Sequence, residues 1–328
     1  MTIKKTTMIK SLRTLLAHKL KSNKKPKLNH GGFTLIELLV AMIVAVLIIA
    51  PLLRFMITVL DTDRKEQAKA TSEQEIQAAI DYIARDLEQA VYIYDDSGIH
   101  NEIPPLAETT GCNQDNCKPV LVFWKRKHFD RGDTVNGQTI GDFTDENDTF
   151  VYALVAYYLI TEDETDWLKI GRIGRFEIRD QVIDVNDEVG IPASEGFQRF
   201  DLSNPGSTLK EKLNQWEKVA GVNYKTPVQT LVNYIDISPE ENNNNPQDIC
   251  PNDNYLQVPE ESEDGFYVCV DSEKKIAQLV LRGNALARIT TSQKQYNFLK
   301  KQSSYFPTVT MQVEGRGSLG LWRQRRPV

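Results

Sequence analysis

Residues 31–53 read GGFTLIELLVAMIVAVLIIAPLL, a glycine pair followed by an apolar run that contains one acidic residue, Glu37. From Leu38 to Leu53 the run has no charged residue. A helix needs about 20 apolar residues to cross the hydrocarbon core of a bilayer. The stretch that begins at Phe33 therefore predicts a helix that is just long enough to span a membrane.

The charges that flank this stretch predict its orientation. Residues 1–32 carry nine Lys or Arg and no Asp or Glu. By the positive-inside rule, this end stays in the cytoplasm and the C-terminal part is translocated. A removed secretory signal has its cleavage site after the apolar core, whereas the glycine pair precedes the core. We therefore expect the apolar helix to be retained after processing, with an uncleaved signal anchor as the alternative.

The Gly32-Phe33 junction, the basic leader and Glu37 together resemble the class III signal of type IV prepilins and type II secretion pseudopilins. The resemblance implies that a membrane prepilin peptidase cleaves between Gly32 and Phe33 and N-methylates Phe33. It also implies that Glu37 aligns the helix with other pilins or pseudopilins as an inner-membrane assembly platform extrudes the subunit. The cation that we expect Glu37 to meet is the amino terminus that cleavage at Gly32-Phe33 creates, including that of a neighbouring subunit. The alternative for Glu37 is an acid that is tolerated because it lies near the headgroups. Met1 and Met8 are alternative starts of the leader.

The chain beyond the leader is acidic. The leader holds nine of the 39 basic residues and none of the 45 acidic ones, so residues 33–328 have a net charge of −15. A chain of this charge argues against nucleic acid as a partner.

All four cysteines follow the membrane segment. An even number of cysteines in an oxidising compartment favours two disulfides. Of the three pairings we favour the two shortest loops, Cys112–Cys117 and Cys250–Cys269. A zinc site is the weaker alternative because neither spacing is that of a zinc knuckle.

The apolar helix is predicted to continue past the membrane, from about Phe33 to Tyr94. Residues 61–75 are rich in good helix formers, and no Gly or Pro occurs between Leu52 and Ser97. Pro51 predicts a bend or local melting of the helix. An apolar stripe at helical spacing indicates packing against a sheet. The stripe consists of Ile76, Ile80, Ile83, Leu87, Ala90 and Val91.

The rest of the chain predicts strands separated by long polar insertions. The predicted strands are Pro119–Trp124, Thr149–Ile160, Leu168–Arg179, Val228–Ile237, Gly265–Val270, Ile276–Arg282 and Thr308–Val313. Ile99–Lys118, Asp180–Gln229 and Pro239–Pro259 are predicted loops that are either functional or mobile. The pattern indicates an α+β fold in which an antiparallel sheet packs on the C-terminal half of the helix, as in pilins. The expected divisions are leader 1–32, membrane or filament helix 33–54, helical continuation 55–95 and β-rich head 96–328.

The sequence shows no catalytic motif, so we expect neither an enzyme nor a cofactor or metal site. Gly171-Arg172-Ile173-Gly174 lies inside an alternating strand and lacks the context of a dinucleotide site. The acidic residues within 142–148 and 163–166 are solvated turns or, alternatively, Ca²⁺ ligands. The basic run Trp124–His128 is a solvated strand end or, alternatively, a surface for an anionic polysaccharide.

Four later segments are similar to the cyanobacterial hormogonium polysaccharide secretion pseudopilins. They are Ala79–Leu87, Ala90–Tyr94, Phe266–Val270 and Leu281–Arg288. This resemblance implies a minor pseudopilin, a non-catalytic subunit that supports polysaccharide secretion and gliding motility. The implied location is the inner membrane, which the chain crosses once, with the head in the periplasm or in an extracellular filament. Alternatives are a large minor pilin of the type IV pilus, a type II secretion pseudopilin, and a membrane-anchored binding module.

Overall fold

The computed structural model describes residues 32–102, 116–130, 134–135, 138–139, 149–161, 170–183, 189–238, 250–252, 254–260, 265–289 and 300–319. The chain divides into two compact units, Met1–Leu60 and Asp61–Val328. The first helix, α1, runs over Leu35–Leu87 and contributes residues to both units.

Helix α1 is 53 residues long and is continuous through Pro51. The predicted local melting near Ile48–Pro51 is therefore wrong, whereas a bend stays a prediction. A proline removes one backbone hydrogen bond, and the helix continues on both sides of it because each further residue adds a hydrogen bond once the helix is nucleated.

In the first unit, the side chains of α1 are exposed from Leu35 to Leu60. Large apolar residues remain exposed beyond Leu53, including Phe55, Ile57 and Leu60. By length and composition α1 is able to cross a membrane. The exposed apolar surface is thus longer than the sequence predicts, because Arg54 interrupts it without ending it.

In the second unit, α1 ends at Leu87 and the chain turns into strand β1 (Ala90–Ile93). The predicted continuation of the helix to Tyr94 is wrong. Every residue from Ala90 to Tyr94 is buried, whereas a helix at a surface buries only one face. Branched and aromatic side chains also favour strands, and the backbone N–H of Tyr94 donates to the carbonyl of Val122 at 2.9 Å.

The other strands lie between residues 117 and 314. They are β2 (Cys117–Phe129), β3 (Thr134–Val135), β4 (Gln138–Thr139), β5 (Thr149–Thr161), β6 (Ile170–Arg179), β7 (Val182–Ile183), β8 (Val189–Ile191), β9 (Gln229–Asp236), β10 (Leu256–Val258), β11 (Phe266–Asp271), β12 (Ile276–Arg282) and β13 (Thr308–Glu314). The remaining helices in the described part of the chain are α2 (Asp96–Glu102), α3 (Leu209–Leu213), α4 (Leu286–Ile289) and a 3-10 helix over Lys300–Tyr305.

Strands β3-β4 and β7-β8 form two small two-stranded sheets. The other strands form a five-stranded sheet, β1-β2-β5-β6-β9, and a four-stranded sheet, β10-β11-β12-β13. All neighbours in both sheets are antiparallel. The long helix followed by antiparallel sheets confirms the α+β class. The single predicted sheet is two sheets, which an isolated bridge between Ile235 and Gly283 connects.

The predicted apolar stripe of α1 is buried in the second unit, and its four helical members are at most 1% exposed. Gly283, directly after β12, lies close to this stripe. A Cβ at Gly283 would lie 2.9 Å from both Ile76 Cγ1 and Ser72 Oγ. The glycine therefore lets backbone pack directly against the helix.

The insertion Asp180–Gln229 is not a free loop, contrary to its polar sequence. Its aromatic residues surround Trp124 of β2, with ring centroids 5.9 Å away for Phe197, 5.0 Å for Phe200 and 5.7 Å for Trp216. Burial of these large rings is enough to hold the segment on the sheet.

The disulfide Cys250–Cys269 is present, which confirms one of the two favoured pairings. Cys269 lies in β11 and is fully buried. Cys117 at the start of β2 is also disulfide-bonded. Its predicted partner Cys112 lies outside the described residues.

Candidate processing and assembly site

The predicted cleavage junction precedes α1 and is exposed. Gly32, Phe33 and Thr34 have no regular secondary structure, and Phe33 is 84% exposed. A Cβ built at Gly32 has no heavy atom of the chain within 4 Å. Packing against the residues that the structure describes therefore does not require a glycine here.

Thr34 and Glu37 form a capping box at the start of α1. The Thr34 hydroxyl accepts a hydrogen bond from the backbone N–H of Glu37 at 3.3 Å. In return, Glu37 Oε2 accepts hydrogen bonds from the backbone N–H of Thr34 at 3.4 Å and from its hydroxyl at 3.3 Å. The Thr-x-x-Glu spacing is readable from the sequence, but the sequence prediction did not use it.

The capping box shows what Glu37 does within one chain. Its carboxylate lies in the first turn of α1, where a negative charge complements the helix dipole. The three donor–acceptor distances of the capping box are long for hydrogen bonds. The capping box therefore stabilises the helix by an amount near the lower end of the usual range of about 0.5–2 kcal/mol. Glu37 is exposed and remains accessible to a cation from another molecule.

Arg54 is the second charged residue of the apolar surface, and the sequence prediction did not single it out. It is exposed, and only its backbone carbonyl accepts a hydrogen bond, from the Thr58 hydroxyl at 3.0 Å. The structure records no ion pair between its guanidinium and any residue that it describes.

A buried charged cluster joins the end of α1 to the five-stranded sheet. We use the term charged cluster for Asp86, Lys125, Lys127, Arg175 and Glu177. Asp86 accepts from Lys125 Nζ at 2.6 Å and from Arg175 Nε at 2.8 Å, and its Oδ2 also accepts from the Tyr157 hydroxyl at 2.8 Å.

Glu177 completes the charged cluster. It pairs with Lys125 at 3.1 Å, with Lys127 at 2.6 Å and with Arg175. The side chains of Asp86 and Lys125 are only 7% exposed. The cluster therefore holds the C-terminal end of α1 on the five-stranded sheet.

The charged cluster changes the interpretation of the basic run Trp124–His128. Trp124 and Lys125 are buried, so this part is not a solvated strand end. Lys127 is paired with Glu177 at 2.6 Å. Arg126 lies 4.2 Å from the ring centroid of Phe150, and His128 Nδ1 lies 3.3 Å from Asp130. Two of the three Lys and Arg side chains of the run thus pair with carboxylates of this chain.

Both acids of the charged cluster have lowered pKa values. Burial by itself raises the pKa of Glu177, but Lys125, Lys127 and Arg175 outweigh this effect and lower its pKa to about 2. For Asp86, burial is again opposed by Arg175 and Lys125, and the net result is a lowered pKa.

We expect acid to destabilise the second unit between about pH 4.5 and 2. A carboxylate with a lowered folded-state pKa stabilises the fold above its unfolded value of 4.5, and this stabilisation is lost as the pH falls toward its folded value of about 2. The loss from Glu177 is on the order of 3 kcal/mol. Chemical unfolding between pH 2 and 6 measures it. Glu177→Gln should flatten this dependence, whereas Glu314→Gln, at an exposed position of β13, should not.

A second buried ion pair connects the two sheets. Arg282 of β12 donates from Nε to Asp236 Oδ2 of β9 at 2.7 Å and from a terminal nitrogen to the carbonyl of Ser238 at 2.7 Å. The Ser238 hydroxyl lies 2.8 Å from Asp236 Oδ1. Burial raises the pKa of Asp236 despite the neighbouring Arg282. This pair links β9 of one sheet to β12 of the other.

The other motifs give no site in the described part of the chain. Gly171 and Gly174 lie in β6, where a Cβ at Gly174 would come within 2.6 Å of Ile160. Close packing therefore explains this glycine. The acidic residues within 142–148 and 163–166 lie outside the described residues. Among the residues that are described, no group of three His, Cys, Asp or Glu is arranged to hold a metal ion.

Comparison with known proteins agrees with the N-terminal geometry. The family model for the prokaryotic N-terminal methylation motif matches residues 27–53. No curated protein and no solved structure matches the chain. The matched motif, the exposed apolar helix and the antiparallel sheets that follow it support the type IV pilin-like class.

Within this class, the motif indicates a type IV pilin or pseudopilin. A protein of this kind is a structural, non-catalytic subunit that a prepilin peptidase processes and that assembles with other pilins. The motif and the apolar helix also indicate anchoring in a membrane.

Proposed function

We propose that this protein is a minor pseudopilin that supports polysaccharide secretion and gliding motility. It is a subunit of a filament like those of type IV pili and type II secretion. The observation that carries the proposal is the exposed apolar helix with the Gly32-Phe33 junction at its start. Such a surface has to be covered by lipid before assembly and by other helices afterwards.

We infer that cleavage between Gly32 and Phe33 leaves a single-pass protein of the inner membrane. The basic leader supports a cytoplasmic N-terminus, and the disulfide Cys250–Cys269 supports an oxidising compartment for the head. The exposed apolar surface continues to Leu60. It favours a membrane and filament segment that ends later than residue 54.

The polysaccharide role rests on the four segments that are similar to the hormogonium pseudopilins. In the structure these segments are largely buried, as in β1, β11 and the stripe of α1. Their likeness therefore supports a shared head fold more directly than a shared cargo. The large head, residues 96–328, favours a subunit that is present in few copies.

Deletion of the gene in the source organism tests the proposed role. We expect exported polysaccharide and gliding speed to fall several-fold, and both to recover on complementation with the wild-type chain. Surface pili and protein secretion should be unchanged, because the proposed filament serves polysaccharide export. Measurements are total sugar in the medium, gliding speed, pili counted by electron microscopy and secreted protein.

The alternatives predict other outcomes of the same deletion. Loss of surface pili would instead identify a minor pilin, and loss of secreted protein would identify a type II secretion pseudopilin. A membrane-anchored binding module would retain its binding after removal of residues 33–53, whereas a filament subunit would lose its function.

A further inference from the structure

A group of cationic and aromatic side chains lies where β2 ends and β5 begins. We use the term arginine surface for Arg126, Phe150, Tyr152 and Arg199. Side chains alternate between the two faces of a strand. Lys125 points toward α1, where it pairs with Asp86 at 2.6 Å, so Arg126 points to the opposite face of the sheet. Tyr152 lies directly opposite Arg126 in the antiparallel pair, and the arginine surface therefore belongs to the face that is remote from α1.

The insertion Asp180–Gln229 covers only part of this face. Its Phe200 packs on Trp124 and on Tyr152, with ring centroids 5.0 and 4.9 Å away. Tyr152 is therefore only 7% exposed, whereas Phe150, two residues nearer the start of β5, is 41% exposed. The arginine surface thus lies at the boundary between the covered part of the sheet and solvent.

An aromatic ring supports each of the two arginines. Arg126 Cζ lies 4.2 Å from the ring centroid of Phe150, and Arg199 Cζ lies 4.9 Å from that of Tyr152. Such a contact attracts the guanidinium and limits its motion, and the N–H groups at its edge stay available to an anion. Directly opposite residues have Cβ atoms about 4.5–5.5 Å apart, so Arg126 lies beside Tyr152 and the arginine that it supports.

Neither arginine forms an ion pair with any residue that the structure describes. The acids next to this surface bind backbone groups of their own segments. Asp201 accepts from the N–H of Ser203 at 2.8 Å, and Asp180 accepts from the N–H of Gln181 at 2.8 Å. Two neighbouring like charges disfavour each other, and an anion bound between them removes this repulsion. In a chain whose residues 33–328 have a net charge of −15, the arginine surface is thus a local site for a negative ligand.

We propose that the arginine surface binds an acidic polysaccharide through the carboxylate or sulfate groups of the polymer. This inference rests on the proposed function and names the chemical class of the exported sugar. The guanidinium fork matches a planar carboxylate with two parallel hydrogen bonds. The exposed part of the Phe150 ring offers apolar area to the C–H groups of a sugar ring.

A polymer suits this surface better than a small anion. One ion pair at an exposed position contributes little by itself. A chain of sugars with repeated acidic groups contacts both arginines at once, and the second contact forms at a high effective concentration. The binding is therefore expected to be multivalent and to weaken as salt screens the charges.

Two other partners compete with the polysaccharide. An acidic protein surface would present Asp and Glu carboxylates to the same arginines. The acidic residues within 142–148, which precede β5 in the sequence, are the competing partner within the chain. Both are distinguished by the probes and variants below.

Binding of the mature protein, in nonionic detergent, to fluorescently labelled alginate tests the proposal by anisotropy. We expect alginate to bind, neutral dextran not to bind, and polyglutamate to bind more weakly than alginate. Arg126→Gln/Arg199→Gln should lower the affinity for alginate about tenfold or more. Arg126→Lys/Arg199→Lys keeps both charges without the planar fork, so its affinity should lie between those of the wild type and the Gln variant.

Arg64→Gln/Arg85→Gln is the matched control. It removes two exposed arginines of α1, and therefore the same net charge, from outside the arginine surface. Its affinity for alginate should stay within about twofold of the wild type. Denaturant midpoints from tryptophan fluorescence should agree between the wild type and all variants, so that a loss of binding is not a loss of fold.

The same variants distinguish this proposal from the proposed function in cells. We expect the Arg126→Gln/Arg199→Gln chain to be processed and assembled normally, and to restore exported polysaccharide in the deletion strain several-fold less than the wild-type chain does. Unchanged export after deletion of the gene would overturn the proposed function itself. Full restoration by the double variant, in a strain in which deletion lowers export, would overturn only the arginine surface.

Four binding results would also overturn the proposal. They are equal affinity of the wild type and Arg126→Gln/Arg199→Gln for alginate, an equal loss in the control variant, binding of dextran as tight as that of alginate, and tighter binding of polyglutamate, which would identify an acidic protein as the partner. Binding of alginate only after Asp145→Asn/Glu146→Gln/Asp148→Asn would show that acids of the chain itself occupy the surface.

Discussion

Gly32→Leu is expected to leave the chain uncleaved, while the wild-type protein begins at an N-methylated Phe33. Gly32 has open space around its Cβ position, so leucine meets no steric obstacle in the described structure. A peptidase has to bring its catalytic groups up to the peptide bond after Gly32, and glycine permits the closest approach to backbone. Misplacement of a reacting bond by about 1 Å costs about a hundredfold in rate. We therefore expect at least this loss of cleavage.

The matched control for this experiment is Gly31→Leu, which adds the same side chain one residue farther from the bond. It should be cleaved much faster than Gly32→Leu. The measurements are N-terminal sequencing, mass spectrometry for the methyl group and immunoblots of precursor and mature forms. Wild-type protein that keeps Met1 or Met8 in cells with active prepilin peptidase would contradict the assignment, as would normal cleavage of Gly32→Leu.

Asp86→Ala is expected to lower the free energy of unfolding of the second unit by about 3–5 kcal/mol. The variant leaves Lys125 and Arg175 buried with only Glu177 to neutralise them, and Lys127 also pairs with Glu177. Whole domains are stable by only about 5–15 kcal/mol. The change should therefore be visible as a large shift of the denaturant midpoint.

Glu88→Ala is the matched control, because Glu88 is an exposed acid at the same end of α1. Exposed substitutions usually change stability by less than about 0.5 kcal/mol. Removal of either acid also removes an unfavourable charge from the helix C-terminus. The difference in the free energy of unfolding between the two variants therefore reports the contribution of the charged cluster. Tryptophan fluorescence of the mature protein in detergent follows unfolding, because Trp124 is fully buried. A loss below about 1 kcal/mol for Asp86→Ala would contradict the assigned role.

Much of the second unit was predictable because its elements carry strong periodic patterns. The stripe of Ile76, Ile80 and Ile83 repeats at helical spacing and is buried as predicted. The seven predicted strands are present as β2, β5, β6, β9, β11, β12 and β13. The largest change is in β2, which ends at Phe129 and not at the predicted Trp124. The short-loop preference also identified the Cys250–Cys269 pair.

The predictions from the sequence are wrong where contacts between residues that are distant in sequence determine the structure. Ala90 and Val91 continue the helical stripe, but both lie in β1, which pairs with β2, and both are buried. In the sequence, Lys125 belongs to a basic run that is predicted to be solvated. In the structure it forms ion pairs with Asp86 and Glu177. Neither partner is near Lys125 in the sequence, so no local pattern reveals the pairing.

At the candidate site, two omissions were avoidable. Thr34 and Glu37 have the spacing of a capping box, and the structure forms it. Arg54 was taken as the end of the apolar run, although the exposed apolar surface continues to Leu60. A prediction that ends an apolar segment at its first basic residue overlooks the case in which apolar residues continue beyond that charge.

The sequence by itself determined the class of this protein, because the predicted cleavage junction, the basic leader and the apolar helix are contiguous in sequence. Their properties depend on the charge, length and hydrophobicity of that one stretch. The length of the apolar helix predicts that it spans a bilayer, and the flanking charges predict its orientation. Only the tertiary structure decided where α1 ends, how the strands divide into two sheets, and which charges are internal. These features depend on burial and on ion pairs between distant residues such as Asp86 and Arg175. These interactions form, and contribute to the free energy of folding, only when the chain has folded.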